Sequence, residues 1–124
     1  MSYKTRWVLG GVETEYFDLL MEVDISQSSD EIYADRRFSS CRYHFCDFLG
    51  ADLTYLNVDD PHKTLVNDLL VSKRFPDVKL ALVAEEIMAR TLCEGYIRSS
   101  LELGNVWEMK LFDRKAHALD WCSN

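Results

Sequence analysis

Lys79-Leu80-Ala81-Leu82-Val83-Ala84-Glu85-Glu86 is the stretch on which the fold turns. A short, almost wholly apolar run gives way at once to two carboxylates. A run of that length and uniformity marks a strand buried on both faces, and such strands belong to parallel sheets. Adjacent acids suit the positive end of a helix. Met88, Leu92, Tyr96 and Ile97 then recur at helical spacing, and Gly104 supplies a stop. A second strand should follow, and residues 106–112 provide it. Trp107, Met109 and Leu111 alternate there with Glu108 and Lys110, so one face is wet, as at a sheet edge. Asp113 reads as the cap of a terminal helix whose inner face is Ala118, Leu119, Trp121 and Cys122.

Upstream, Pro76 ends an earlier helix, because the residue before a proline disfavours the helical region. That helix has Asp60 as N-cap, Pro61 at its first position, and a stripe of Leu65, Val66, Leu69 and Leu70. Residues 42–49 precede it as a strand. Tyr43, Phe45 and Asp47 point one way and His44, Cys46 and Phe48 the other, which predicts an interior strand closed by Gly50. Residues 3–9 form a first strand, with Tyr3, Thr5, Trp7 and Leu9 on its buried face, ended by Gly10-Gly11. Thr14 reads as an N-cap, and Tyr16, Phe17, Leu20, Met21 and Val23 predict an amphipathic helix ending near Ile25. Residues 26–29 break it, residues 30–38 make a helical turn or two, and Ser39-Ser40 break the chain again. Strand and helix alternate along the whole chain, which implies a mostly parallel sheet with crossover helices.

Composition narrows the function. A chain of 124 residues, 48% hydrophobic and 28% charged, fits one globular domain over 1–124. Lysine plus arginine total 14 and aspartate plus glutamate 21, a net charge of −7 with no basic cluster, which argues against nucleic acid. No apolar run approaches the roughly 20 residues of a membrane span, so no membrane insertion is expected. No apolar leader precedes the first strand, so the expected location is the cytoplasm, with the 4 cysteines reduced.

The chain resembles the STAS-like family, and within it the SpoIIAA-like group of small bacterial proteins. Gly10-Gly11-Val12-Glu13-Thr14 resembles that family's strand, Gly, Thr and helix opening. Tyr43-His44-Phe45-Cys46-Asp47-Phe48 resembles its strand ending in an Asp. Residues 78–84 with their helix, then residues 107–112 and Ala116-His117-Ala118-Leu119-Asp120-Trp121, resemble its closing strand, Asp and short helix ending in Ala-Leu-x-Trp. The resemblance implies a single-domain α/β fold of about four mostly parallel strands with crossover helices packed on the sheet. It also implies a chain short of one N-terminal strand seen in many relatives. Relatives are typically non-enzymatic, and anti-sigma-factor antagonists among them bind a kinase-like partner and switch on a phosphorylated Ser in an Asp-Ser pair. The matching stretch here is Gly50-Ala51-Asp52-Leu53-Thr54-Tyr55, without that pair, and Thr54 is the nearest hydroxyl.

Five carboxylates, Asp47, Asp52, Glu85, Glu86 and Asp113, follow expected strands. They would gather on the edge where α/β sheets bind ligands. Hard oxygen donors could hold Mg²⁺ there, but helix capping explains the same residues, and no phosphate-binding glycine loop accompanies them. Cys41 and Cys46 stand an odd number of positions apart, so one strand would turn them to opposite faces, which is poor zinc spacing. His44 and Cys46 share a face, but their side chains project in parallel with no orienting third group. Gly10-Gly11 lacks the dinucleotide fingerprint and reads as a tight turn. Tyr33, Phe38 and Tyr55 lie outside the expected core stripes and mark either an exposed patch or a packed loop.

Three functions fit this fold, and the site has to decide between them. The first is a regulatory module docking a protein partner, or a second copy, through Asp52, Thr54, Tyr55, Asp59 and His62. The second is a carrier of a small apolar, lipid-like ligand in a pocket between sheet and helices. The third is a metal-dependent enzyme using Asp47, Glu85, Glu86 and Asp113. No cofactor is expected.

Overall fold

The computed structural model describes residues 2–56 and 62–124, and the side chains of all of these but His62 and Lys63. The strands are β1 (Tyr3–Val8), β2 (Gly11–Leu19), β3 (Tyr43–Asp52), β4 (Lys79–Val83) and β5 (Glu108–Phe112). The helices are α1 (Glu22–Ala34), α2 (His62–Arg74), α3 (Ile87–Leu103) and α4 (Lys115–Ser123), with a 3-10 turn at Arg36–Ser40. Spatial order equals chain order, β1 to β5. β1 runs antiparallel to β2, and β2, β3, β4 and β5 are mutually parallel. When parallel strands are laid down in sequence and every crossover is right-handed, the connecting helices fall on one face. Accordingly α1, α2 and α3 share one face, and α4, which follows the last strand, packs on the other against β3, β4 and β5.

The expected helix from Thr14 to Ile25 is not there: β2 occupies its first half. β2 is the strand that the resemblance left missing, so the sheet has five strands and not about four. The physical reason is that Val12, Thr14 and Tyr16 are buried on one face while Gly11 and Glu13 are buried on the other. A strand covered on both sides shows no clean alternation. Its β-branched and aromatic residues suit the pleat better than a helix. The turn at Gly10-Gly11 holds as expected. Gly10 has φ +83°, which a residue without Cβ adopts freely. Leu9 lies in that turn, 99% exposed, rather than on the buried face.

α1 runs straight through the expected break at residues 26–29. Ser28 donates to the Ile25 carbonyl at 2.9 Å and its oxygen meets the Tyr16 hydroxyl at 2.7 Å. Serines that bond back to the helix can be carried inside it. The helix starts at Glu22, where the Met21 amide donates to the Asp24 carboxylate at 2.9 Å. β3 continues through Gly50, which therefore does not close it. Glu86 caps α3, accepting from the Met88 and Ala89 amides at 3.1 Å each. Asp113 does not cap α4; the N-cap is Arg114, with no side-chain bond. The Asp60 cap and Pro61 lie outside the described residues.

The sheet separates two cores. Tyr16, Leu20, Ile32, Phe38, Leu80, Leu82 and Trp107 belong to the larger one under α1, α2 and α3. Phe45, Ala81, Val83, Ala118 and Cys122 form the smaller one under α4. Among the described residues no helix is long and apolar enough to cross a membrane.

Candidate functional site

Strand parity decides what meets under α1, α2 and α3. His44 and Cys46 of β3 point to that side, beside Leu80 and Leu82 of β4 in the parallel register. Tyr16 of β2 joins them. Above this floor the helices leave a cavity of about 270 Å³, lined mostly by apolar atoms. That is near the lower bound of the roughly 300–1,000 Å³ of small-molecule pockets. Ile25 and Tyr33 of α1, Asp68 of α2, and Leu92 and Tyr96 of α3 form the roof. Leu53 and Leu56 of the loop after β3 close one side, and the exposed side chains of Glu22 and Arg98 mark its rim.

The polar heart of the cavity is Asp68, only 4% exposed. Tyr33 donates its hydroxyl proton to one carboxylate oxygen at 2.7 Å, and Tyr96 donates to the other. Burial raises the Asp68 pKa to about 6, while the two phenol bonds and the nearby Asp30 act in opposite senses on it. Both phenols are pushed well above their ordinary range by burial and then by the Asp68 charge, so they stay protonated donors. His44 is 2% exposed. Its Nε2 lies 3.5 Å from the Cys46 sulfur, and its Nδ1 has no partner among the described residues. Burial lowers its pKa to about 4, so the ring is neutral at pH 7.

None of this is arranged for nucleophilic attack. Burial pushes the Cys46 thiol well up and lifts Cys93 to about 12, whereas a reactive cysteine needs a lowered value. A ring with a pKa of about 4 is too weak a base to take the proton of a thiol that burial has raised, so the His44–Cys46 contact does not make a thiolate.

The residues singled out from the sequence fall in three places. Asp52 ends β3, and Thr54 and Tyr55 lie in the loop beyond it. There the Asp52 carboxylate accepts from the Thr54 amide at 3.0 Å and from its hydroxyl, which holds the carboxyl below its usual value. Tyr55 is 66% exposed. Asp59 lies outside the described residues, and His62 opens α2 with its side chain outside them. Asp47 is buried on the α4 side of the sheet, its carboxylate accepting from the Leu49 amide at 2.9 Å. Glu85 and Asp113 are exposed, and Glu86 is occupied as a cap. Among the described residues no three His, Cys, Asp or Glu come together to hold a metal. Tyr33 and Phe38 are packed rather than exposed: Phe38 is core, and Tyr33 stands edge-on to it at 5.1 Å.

Asp68 gives no hint in the sequence, because it lies between Leu65 and Leu69, residues of the expected apolar stripe. That stripe is rotated in the fold. Leu65, Asp68 and Ser72 are buried, while Val66 and Leu70 are 48% and 63% exposed. On α3 likewise Met88 is exposed, and Ala89 and Cys93 turn inward.

No protein-family model matches the chain, and no curated protein does. Five chains of solved structure match. One is an uncharacterised protein of the DUF3478 family with a SpoIIAA-like fold from Shewanella loihica PV-4. It is 14% identical, with a TM-score of 0.58 over 97% of this chain and 91% of that one. At that identity the likeness carries the fold: this chain has a SpoIIAA-like α/β fold.

Proposed function

We propose that the protein binds a small, largely apolar molecule in the cavity between the sheet and α1, α2 and α3, and holds it without covalent chemistry. The observation that carries this reading is the cavity itself, apolar-walled and with one buried carboxylate clamped by two phenols. Apolar walls with a few convergent polar groups are the general form of a ligand site. The neutral thiols and neutral histidine support holding over reacting. Octanol at 100 times its Kd should raise stability by about 2.7 kcal/mol, because it binds only the folded chain. A variant with the cavity filled, Cys93→Trp, should lose that response. A wild type whose melting is unmoved by octanol would count against the reading.

A second reading, docking of a protein partner through the loop after β3, draws on exposed apolar side chains at that end of the sheet. Leu19 pairs with Asp52 across β2 and β3 and is 44% exposed. Met21, Val23 and Tyr55 are 43%, 64% and 66% exposed nearby in the chain or on the loop. A phosphate on Thr54 would face the Asp52 carboxylate and open the turn between them. Thr54→Glu should then abolish partner capture with the fold retained; unchanged capture removes the switch.

A further inference from the structure

The polar groups gathered at Asp68 are not balanced between donors and acceptors. Each phenol, Tyr33 and Tyr96, spends its only proton on Asp68. What the cluster still offers a guest is acceptor capacity: carboxylate lone pairs and phenol oxygens. No cation among the described residues pairs with Asp68, and its known partners are neutral. A buried carboxylate without a counter-charge is a costly group to keep. The His44 ring adds a second buried polar atom, Nδ1, that nothing among the described residues satisfies. Among the described residues the one cationic side chain on the lining, Arg98, is exposed at the rim and so does not balance the interior.

We propose that the guest carries a protonated amine, seated against the Asp68 carboxylate between Tyr33 and Tyr96, with its apolar body along Leu80, Leu82 and Leu92. This rests on the cavity reading above and adds the chemical class of the ligand. An ammonium brings up to three donors to a site furnished with acceptors, and it supplies the missing counter-charge. A fatty-acid carboxylate seated at the same point meets the like charge of Asp68, and the two phenol protons beside it are already given to that residue.

The test compares octylamine, octanol and octanoate, equal in apolar length, for binding to the full chain at pH 7.5 by titration calorimetry. The expected order is octylamine tightest, by about tenfold or more over octanol, with octanoate weakest. Asp68→Asn keeps the side-chain size and should reduce the amine to the affinity of the alcohol while leaving octanol within about threefold. Should that variant not fold, Tyr33→Phe, which removes one clamp but leaves the charge, should still prefer the amine over the alcohol. Octanoate binding tightest overturns the inference and leaves the apolar cavity standing. Equal binding of amine and alcohol overturns it too. No binding by any of the three overturns the cavity reading on which it rests.

Discussion

The two faces of one sheet are built to different ends. Under α4, Ala81, Val83, Ala118 and Cys122 close the surface around the Phe45 ring, all of them 7% exposed or less, with Tyr43, Phe112 and Trp121 packed at the margin. Under α1, α2 and α3, three helices carry larger side chains over the same strands, leave about 270 Å³ open, and bury Asp68 and His44 beside the gap. Buried hydroxyls of Thr5 and Thr14, without partners among the described residues, stand on this face as well. Alternate residues of β3 belong to each face, so the contrast lies in what covers them. One short helix can press a flat face shut. Three helices splayed over a twisted sheet meet along seams, and a seam is where a cavity forms.

The comparison predicts an order of sensitivities. Phe45→Ala, on the filled face, should cost about 3–5 kcal/mol in urea unfolding, since the neighbouring alanines cannot collapse into the space. A loss below about 2 kcal/mol would mean that this face is looser than described.

The open face should show itself in its pH behaviour. Asp68 titrates at about 6 folded against 3.8 as an ordinary aspartate. Between those values the folded chain holds a proton that the unfolded chain has lost, so this group lowers stability as pH rises. His44 titrates at about 4 folded against 6.5. Between those values the unfolded chain holds the extra proton, so this group raises stability as pH rises. The two slopes, each at most about 1.4 kcal/mol per pH unit, oppose one another over pH 4–6. Relative to the wild type, Asp68→Asn should expose a rising stability with pH in this window, and His44→Gln a falling one. Denaturant midpoints at three pH values decide it; parallel curves for all three proteins would refute the placement of both groups.

Overfilling separates the faces next. Ala118→Leu has no space to enter, and should cost about 1–3 kcal/mol. Cys93→Leu enlarges a wall of the cavity and should stay within about 1 kcal/mol of the wild type in thermal unfolding. Equal losses would erase the distinction. The smallest effect belongs to neither face: Glu86→Ala removes the two hydrogen bonds that its carboxylate accepts from the Met88 and Ala89 amides and should cost about 1 kcal/mol.

The legibility of these faces in the sequence differs in the same way. The stretch from Lys79 through Glu86 announces its strand and cap because burial on both faces and a helix start are local properties. α4 shows its inner face, Ala118 and Cys122, through simple spacing. β2 does not, because Tyr16, Phe17, Leu20 and Met21 also satisfy helical spacing, and Thr14 before Glu15 imitates a cap. The pairing of β2 with both β1 and β3 is what settles it, and pairing is not local. The shared face of His44 and Cys46 follows from strand parity and could be read. Asp68 could not, since its meaning depends on Tyr33, 35 positions upstream, and Tyr96, 28 downstream. A lone acid on a helix is ordinarily solvated, and only the tertiary fold buries this one. The expected carboxylate edge illustrates the converse: Glu86 and Asp113 follow strands as foreseen, yet one is a cap and one is exposed, while Asp47 lies within β3 and is buried on the α4 side.

The most direct test of the central claim is native mass spectrometry of the wild type and Cys93→Trp, purified from the original host with no ligand added. The account predicts a discrete added mass of small-molecule size on the wild type, absent from the filled variant. A bare mass for both, with no uptake of octylamine or octanol by the wild type afterwards, would contradict it.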